Sequence, residues 1–174
     1  MLQVDQAIRS HIDYSDLPDT KLKESEQPKL FQDIAVVDRA NEARLKKMLD
    51  SCGWPKVSVY GKAASGAAWL LLQHATPPTQ ERYLPLLGAA VEQHEAPLSD
   101  FAYLSDRVAV HQGRPQLYGT QMKQGGACSF ELQPIDDRKR VNERRKLADM
   151  PSLEDYEAMF RSFTESHGCP AASQ

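Results

Sequence analysis

Between Ala63 and Ala75 the chain reads AASGAAWLLLQHA, with no charged side chain in the whole run. If helical, this segment is apolar on every side and cannot turn any face to water. It therefore has to lie at the centre of the fold, and the rest of the chain has to surround it. The flanking segments have the pattern for that task. Leu30, Ile34, Val37, Asn41, Leu45 and Met48 recur at spacings of three and four, an apolar helical face interrupted by one amide and stopped at Gly53-Trp54-Pro55. Tyr83, Leu84, Leu87 and Val91 follow Thr76-Pro77-Pro78-Thr79, a helix start in which either threonine can serve as N-cap. Phe101, Leu104, Val108 and Ala109 mark another inward face from about 98 to 112, opened by Ser99-Asp100 and closed by Gly113. Val57 to Tyr60, short and β-branched, reads as a brief extended piece before Gly61.

After Arg114-Pro115 the period changes to two. Cys128, Phe130 and Leu132 alternate with Ser129, Glu131 and Gln133, and Gln116 to Met122 reads as the partner strand across Lys123-Gln124-Gly125-Gly126. A basic helix is predicted over 136–147, and another from Pro151 to about Ser166. These elements predict a mostly α (α+β) class, a compact multi-helix domain with one antiparallel β-hairpin near residues 116–133. The expected organisation is a polar N-terminal extension over 1–29, with a turn or two of helix from Leu2 to Ile12, one globular domain over 30–166, and a flexible tail over 167–174.

Length and charge narrow the function. A chain of 174 residues buries a core without disulfides or metals. Its net charge of -3 supplies no general field for nucleic acid or an anionic membrane, so neither is expected as a partner. Cys52, Cys128 and Cys169 contain no C-x-x-C pair and read as free thiols of a cytoplasmic protein. A Cys52–Cys128 bridge in an exported form whose signal has been removed stays open. The longest strongly apolar run, Gly66 to Leu72, is far short of the roughly 20 residues needed to cross a bilayer.

Candidate chemistry lies where polar residues interrupt apolar pattern. His74 ends the most apolar helix, where an imidazole suits general acid–base work or, equally, a structural bond to a backbone carbonyl. Asp106 and Arg107 form the charged pair inside the 101–110 helix. Adjacent residues point about 100° apart, so each needs its own partner: Arg107 could fork onto a substrate anion, and Asp106 could orient His74. A buried ion-pair network between helices is the structural alternative. In Gln116-Leu117-Tyr118-Gly119-Thr120-Gln121, an extended chain would alternate Gln116, Tyr118 and Thr120 with Leu117, Gly119 and Gln121. Its glycine fits close approach by a ligand or a local bulge. Asp38 and Asn41, one helical turn apart, and Trp54 are further candidates for substrate contact. Gly61 to Gly66 lacks the Gly-Lys-Ser/Thr ending of a P-loop, which argues against nucleoside triphosphates. Six basic residues between Arg138 and Lys146 could grip phosphate, although such a run is usually a solvated helix face.

The order Asp38-x-x-Asn41, Gly53-Trp54-Pro55, Gln73-His74-Ala75, Asp106-Arg107-Val108 and Gln116-x-Tyr118-Gly119-Thr120-Gln121, with Arg144-Arg145 beyond, resembles an uncharacterised bacterial domain family of unknown function. That resemblance spans roughly residues 30 to 160 and implies no activity. From the residues themselves, one expectation is a metal-independent hydrolase or transferase for a small polar or anionic substrate, with no cofactor. His74, Asp106, Arg107 and Gln121 would do the chemistry, and Asp38, Asn41, Trp54, Gln116, Tyr118 and Thr120 would hold the substrate. The competing expectation is a non-enzymatic binding, immunity-type or regulatory module with a protein partner, whose polar cluster is structural.

Overall fold

The computed structural model describes residues 1–11, 28–126 and 129–166. The helices are α1 (Leu2–Arg9), α2 (Lys29–Cys52), α3 (Val57–Gln73), α4 (Pro77–Glu92), α5 (Leu98–His111), α6 (Val141–Leu147) and α7 (Leu153–Ser166). Strands β1 (Met122–Gly126) and β2 (Ser129–Leu132) lie between α5 and α6, and pair antiparallel with Met122 opposite Leu132 and Lys123 opposite Glu131. The protein is mostly α with a two-stranded antiparallel sheet.

The uncharged segment does lie at the centre, in contact with α1, α2, α4 and α5. Leu45, Leu72, Leu87 and Leu104, one from each of α2 to α5, are fully buried, and burial of each such side chain stabilises by about 1.5–3 kcal/mol. Trp54 also lies in this core, with its indole N–H donating to Ser65 Oγ at 3.0 Å. Trp54 is thus a buried core side chain in this fold.

Three local expectations change. Val57 to Tyr60 forms a helical turn, separated from the body of α3 by Gly61 at φ +79°. The cause is remote: the Glu95 carboxylate accepts from Ser58 N at 2.9 Å and Ser58 Oγ at 2.6 Å, satisfying a free end of the turn. The basic segment begins with Asp137 in the left-handed region and a 3-10 turn over Arg138–Arg140, so α6 starts only at Val141. Helix α7 starts at Leu153 rather than Pro151, capped by Ser152, whose Oγ accepts from Asp155 N at 3.1 Å.

Helix α1 was expected within an extension ahead of the core, yet it packs against α2 and α3 and buries Asp5 completely. No described helix is long and apolar enough to cross a membrane. Cys52 is a free, exposed thiol, whereas Cys128, Cys169, the 12–27 connection and the tail beyond Ser166 lie outside the described residues.

Candidate functional site

The expected site residues separate into two centres. The first is a loop wrapped around Asp106. This side chain points from α5 into residues 117–120, where Oδ1 accepts from Leu117 N at 2.8 Å and Tyr118 N at 3.1 Å. Its Oδ2 accepts from Thr120 N and Thr120 Oγ1, both at 3.0 Å, and from Tyr118 N at 3.1 Å. Burial raises the proton affinity of Asp106, and the donors from Tyr118, Leu117 and Thr120 pull it back down. Three of the four groups around it are backbone N–H donors, which a carboxylate satisfies with both oxygens, so the geometry fits the ionised form.

Those backbone N–H groups are the ones a strand would have given to a neighbour. Gln116 to Thr120 is accordingly a loop, with Gly119 at φ +69°, and β1 starts only at Met122. The alternation expected for this segment is replaced by another pattern: Gln116 and Thr120 are buried, Tyr118 is half-buried and Leu117 is exposed. Gln116 acts as a staple. Its Nε2 donates to the carbonyls of Gln121 and Gln133 at 3.0 and 2.8 Å, and its Oε1 accepts from Gln121 N at 2.8 Å. The Gln121 side chain stays at the same centre, donating to Thr120 Oγ1 at 2.9 Å.

Sequence reasoning read Arg145 as part of a solvated basic face. It is fully buried instead, with Nη1 donating to Tyr118 O at 2.8 Å, Nε donating to Pro151 O at 2.7 Å, and the guanidinium 4.9 Å from the Tyr156 ring centre. Tyr156 donates to Thr120 O at 3.2 Å, and burial pushes its phenol up to about 12. Arg144 Nε donates to Leu117 O at 2.6 Å. The available signal was Val141, Arg145 and Ala148 on one α6 face at spacings of four and three, a buried stripe containing one arginine.

The second centre forms where α1, α2, α3 and α5 meet. His74 caps the end of α3, and its Nε2 lies 4.0 Å from Asp5 Oδ2. Asp5, not Asp106, is the acid beside the imidazole. Arg9 bridges Asp5 and Asp38, with Nε 3.2 Å from Asp5 Oδ1 and Nη2 hydrogen-bonded to Asp38. Arg107 comes from α5 and donates Nη1 to Gln73 O, the carbonyl just before His74, at 3.0 Å. The same carbonyl accepts from Gln80 Nε2 at 2.9 Å. Arg107 Nε, Gln73 Nε2 and Asn41 Nδ2 are buried donors without a hydrogen-bond partner among the described residues.

Burial lowers the His74 proton affinity below the ordinary 6.5. Arg9 and Arg107 lower it further, against Asp5 and Asp38. The imidazole is therefore mostly neutral at pH 7 and able to accept a proton. Burial also weakens the hold of Arg107 on its proton, with Tyr156 partly offsetting this. No group of three or more His, Cys, Asp or Glu side chains among the described residues is arranged to hold a metal ion.

A model built for one family of proteins matches residues 1–168. The chain belongs to DUF6624, a family of unknown function. The DUF6624 match includes α1, and with it Asp5 and Arg9 of the His74 centre. No curated protein and no solved structure matches the chain. Sequence reasoning missed Asp5, Arg9, Arg145 and Tyr156 in this DUF6624 protein. Asp5 and Arg9 had a local signal in Leu2, Asp5 and Arg9 at spacings of three and four.

Proposed function

We propose that the protein is an acid–base enzyme, a hydrolase or transferase of small polar or anionic substrates, working at the His74 centre. The observation that carries this reading is the convergence of His74, Asp5 at 4.0 Å, and Arg107 on the carbonyl of Gln73. Asp5, 4.0 Å from Nε2, favours positive charge on the imidazole from one side. The other ring nitrogen takes a proton from water, or from an acceptor hydroxyl, as that oxygen bonds to the electrophilic centre. The proton then passes to the leaving group as its bond breaks. Arg107 faces the negative charge of the substrate with an Nε that has no hydrogen-bond partner among the described residues. Asp106, Gln116, Thr120 and Arg145 hold the 116–121 loop and take no part in proton transfer.

The test is turnover of a panel of chromogenic carboxylic esters, phosphate esters and anilides by wild type, His74→Gln and Arg107→Met. At least one class is expected to turn over, with His74→Gln lowering kcat by about 10²–10⁴-fold. The wild-type rate should hold through neutral pH and fall only below 6.5, because the base form is retained down to a lowered proton affinity. A wild type inert across the panel, or a His74→Gln variant as fast as wild type, overturns the reading. The second reading, a non-enzymatic binding or regulatory module, is favoured by one observation: the Asp106 carboxylate is filled by protein donors and has no room for a substrate.

A further inference from the structure

A cavity of about 460 Å³ opens between α1, α2 and α3, within the size range of small-molecule sites. Its wall is almost wholly apolar: Leu2 from α1, Met48 and Cys52 from α2, and Ala64, Ala68 and Leu71 from α3 are among the residues that line it. The space exists because α3 presents alanines where larger side chains would fill the gap. The residues of the His74 centre do not line the cavity, but along each helix they follow its wall by one to three turns. On α1 Leu2 is followed one turn later by buried Asp5, then by Arg9. On α3 Leu71 is followed one turn later by His74, roughly 4.5 Å further along the axis. On α2 the stripe Cys52, Met48, Leu45 leads back to Asn41 and Asp38.

We propose that this cavity and the His74 centre are the two ends of one site for an amphiphile, with an apolar chain in the cavity and an anionic head at Arg107. The inference rests on the reading of His74 as the working group, and it names the substrate class. Chain length is bounded by volume: at about 30 Å³ per methylene, comparable to a water's share of liquid, the 460 Å³ cavity holds at most about fifteen carbons, so a ten-carbon chain fits. The sign of the head follows from charge. Arg9 is neutralised by Asp5 and Asp38, whereas Arg107 has no carboxylate within ion-pair distance among the described residues. Of the buried orphan groups on Arg107, Gln73, Asn41 and Gln80, three are donors, the complement of an oxyanion, and one, Gln80 Oε1, is an acceptor.

The experiment is calorimetric titration of the full chain with sodium decanoate, 1-decanol and sodium acetate. Decanoate is expected to bind at least tenfold more tightly than either of the others. Ala67→Phe fills the cavity and should weaken decanoate at least tenfold. Cys52→Phe, at the exposed rim, should do the same if Ala67→Phe fails to fold. Arg107→Met should bring decanoate down to the level of decanol. Decanoate binding no tighter than acetate, or binding unchanged in a folded cavity variant, overturns the proposal. So does a wild-type dimer that Cys52→Phe separates and decanoate does not, which would assign the cavity to a second copy. The two readings fail separately. Turnover of short esters with no gain from chain length removes the amphiphile and keeps the acid–base centre. Decanoate binding with no turnover on the whole panel removes the catalysis and keeps the binding site.

Discussion

Asp106→Asn should unfold much of this protein's stability margin without touching its core volume. The carboxylate accepts from three backbone N–H groups and one hydroxyl, all within 3.1 Å. An amide keeps one acceptor oxygen and turns an NH₂ group toward the remaining donors. Whichever way it is placed, at least one of Leu117 N and Thr120 N loses its acceptor, at about 1–3 kcal/mol, and the surviving bonds lose their charge assistance. The sum is about 3 kcal/mol, and Asp106→Ala, which strands all three N–H groups, should lose about 5 kcal/mol. Against a typical total of about 5–15 kcal/mol these are severe losses. The assay is urea denaturation followed by circular dichroism, with the slope checked against wild type so that a changed denatured state is not read as lost stability. An Asp106→Asn variant within 1 kcal/mol of wild type would refute the reasoning, because the loop would then not depend on a carboxylate acceptor. The same variant with full stability and no activity would return Asp106 to the catalytic group.

Gly119→Ala should lose about 2–3 kcal/mol in the same assay, since φ is +69° and a Cβ would stand 2.8 Å from Leu153 Cδ1 and 2.9 Å from Ile135 Cδ1. A loss below about 1 kcal/mol would mean that α7 shifts freely away from the loop. Burial raises the Asp100 carboxyl from 3.8 to about 6, so the folded state holds its proton more tightly than the unfolded chain and this group weakens the fold as pH climbs from 4 to 6. Two pH units are worth roughly 3 kcal/mol at full strength, and solvent screening at this half-buried position reduces that to about 1–2 kcal/mol. Asp100→Asn should therefore raise the melting temperature at pH 7 and leave it unchanged at pH 3.5; an equal shift at both values would rule out titration as the cause.

The helices were legible because their signals are local. Leu45 and Met48 on α2, Leu72 on α3, and Leu87 on α4 stand at the spacings that amphipathic burial demands, and Gly53 and Gly113 stop chains that need a positive φ. Val57 to Tyr60 and Gln116 to Thr120 were misread because distant carboxylates decide their backbone. Glu95 captures the first segment and Asp106 the second, and neither partner can be inferred from the segment's own period. The same limit applies to the site. His74 and Arg107 stood out as polar breaks in apolar runs, and they share the Gln73 carbonyl as a landmark. The acid that completes His74 lies 69 positions away on α1, in a stretch whose polar character suggested solvent. Arg145 was hidden by its neighbours, since five basic residues around it do face outward or half outward.

The clasp of Arg145 on the Tyr118 carbonyl joins positions separated by 27 residues, and that interval has a consequence during synthesis. When α5 leaves the ribosome, Asp106 has no loop to receive; when the 116–121 segment follows, its carbonyls have no guanidinium until α6 has emerged. Non-local closure of this kind is slow compared with forming the four leucine-bearing helices. The order of synthesis thus lets α2 to α5 assemble around Leu72 before the loop that Asp106 and Arg145 hold can close. A chain released at that stage would have its helical core and the residues of the His74 centre, without the loop that Asp106 and Arg145 hold.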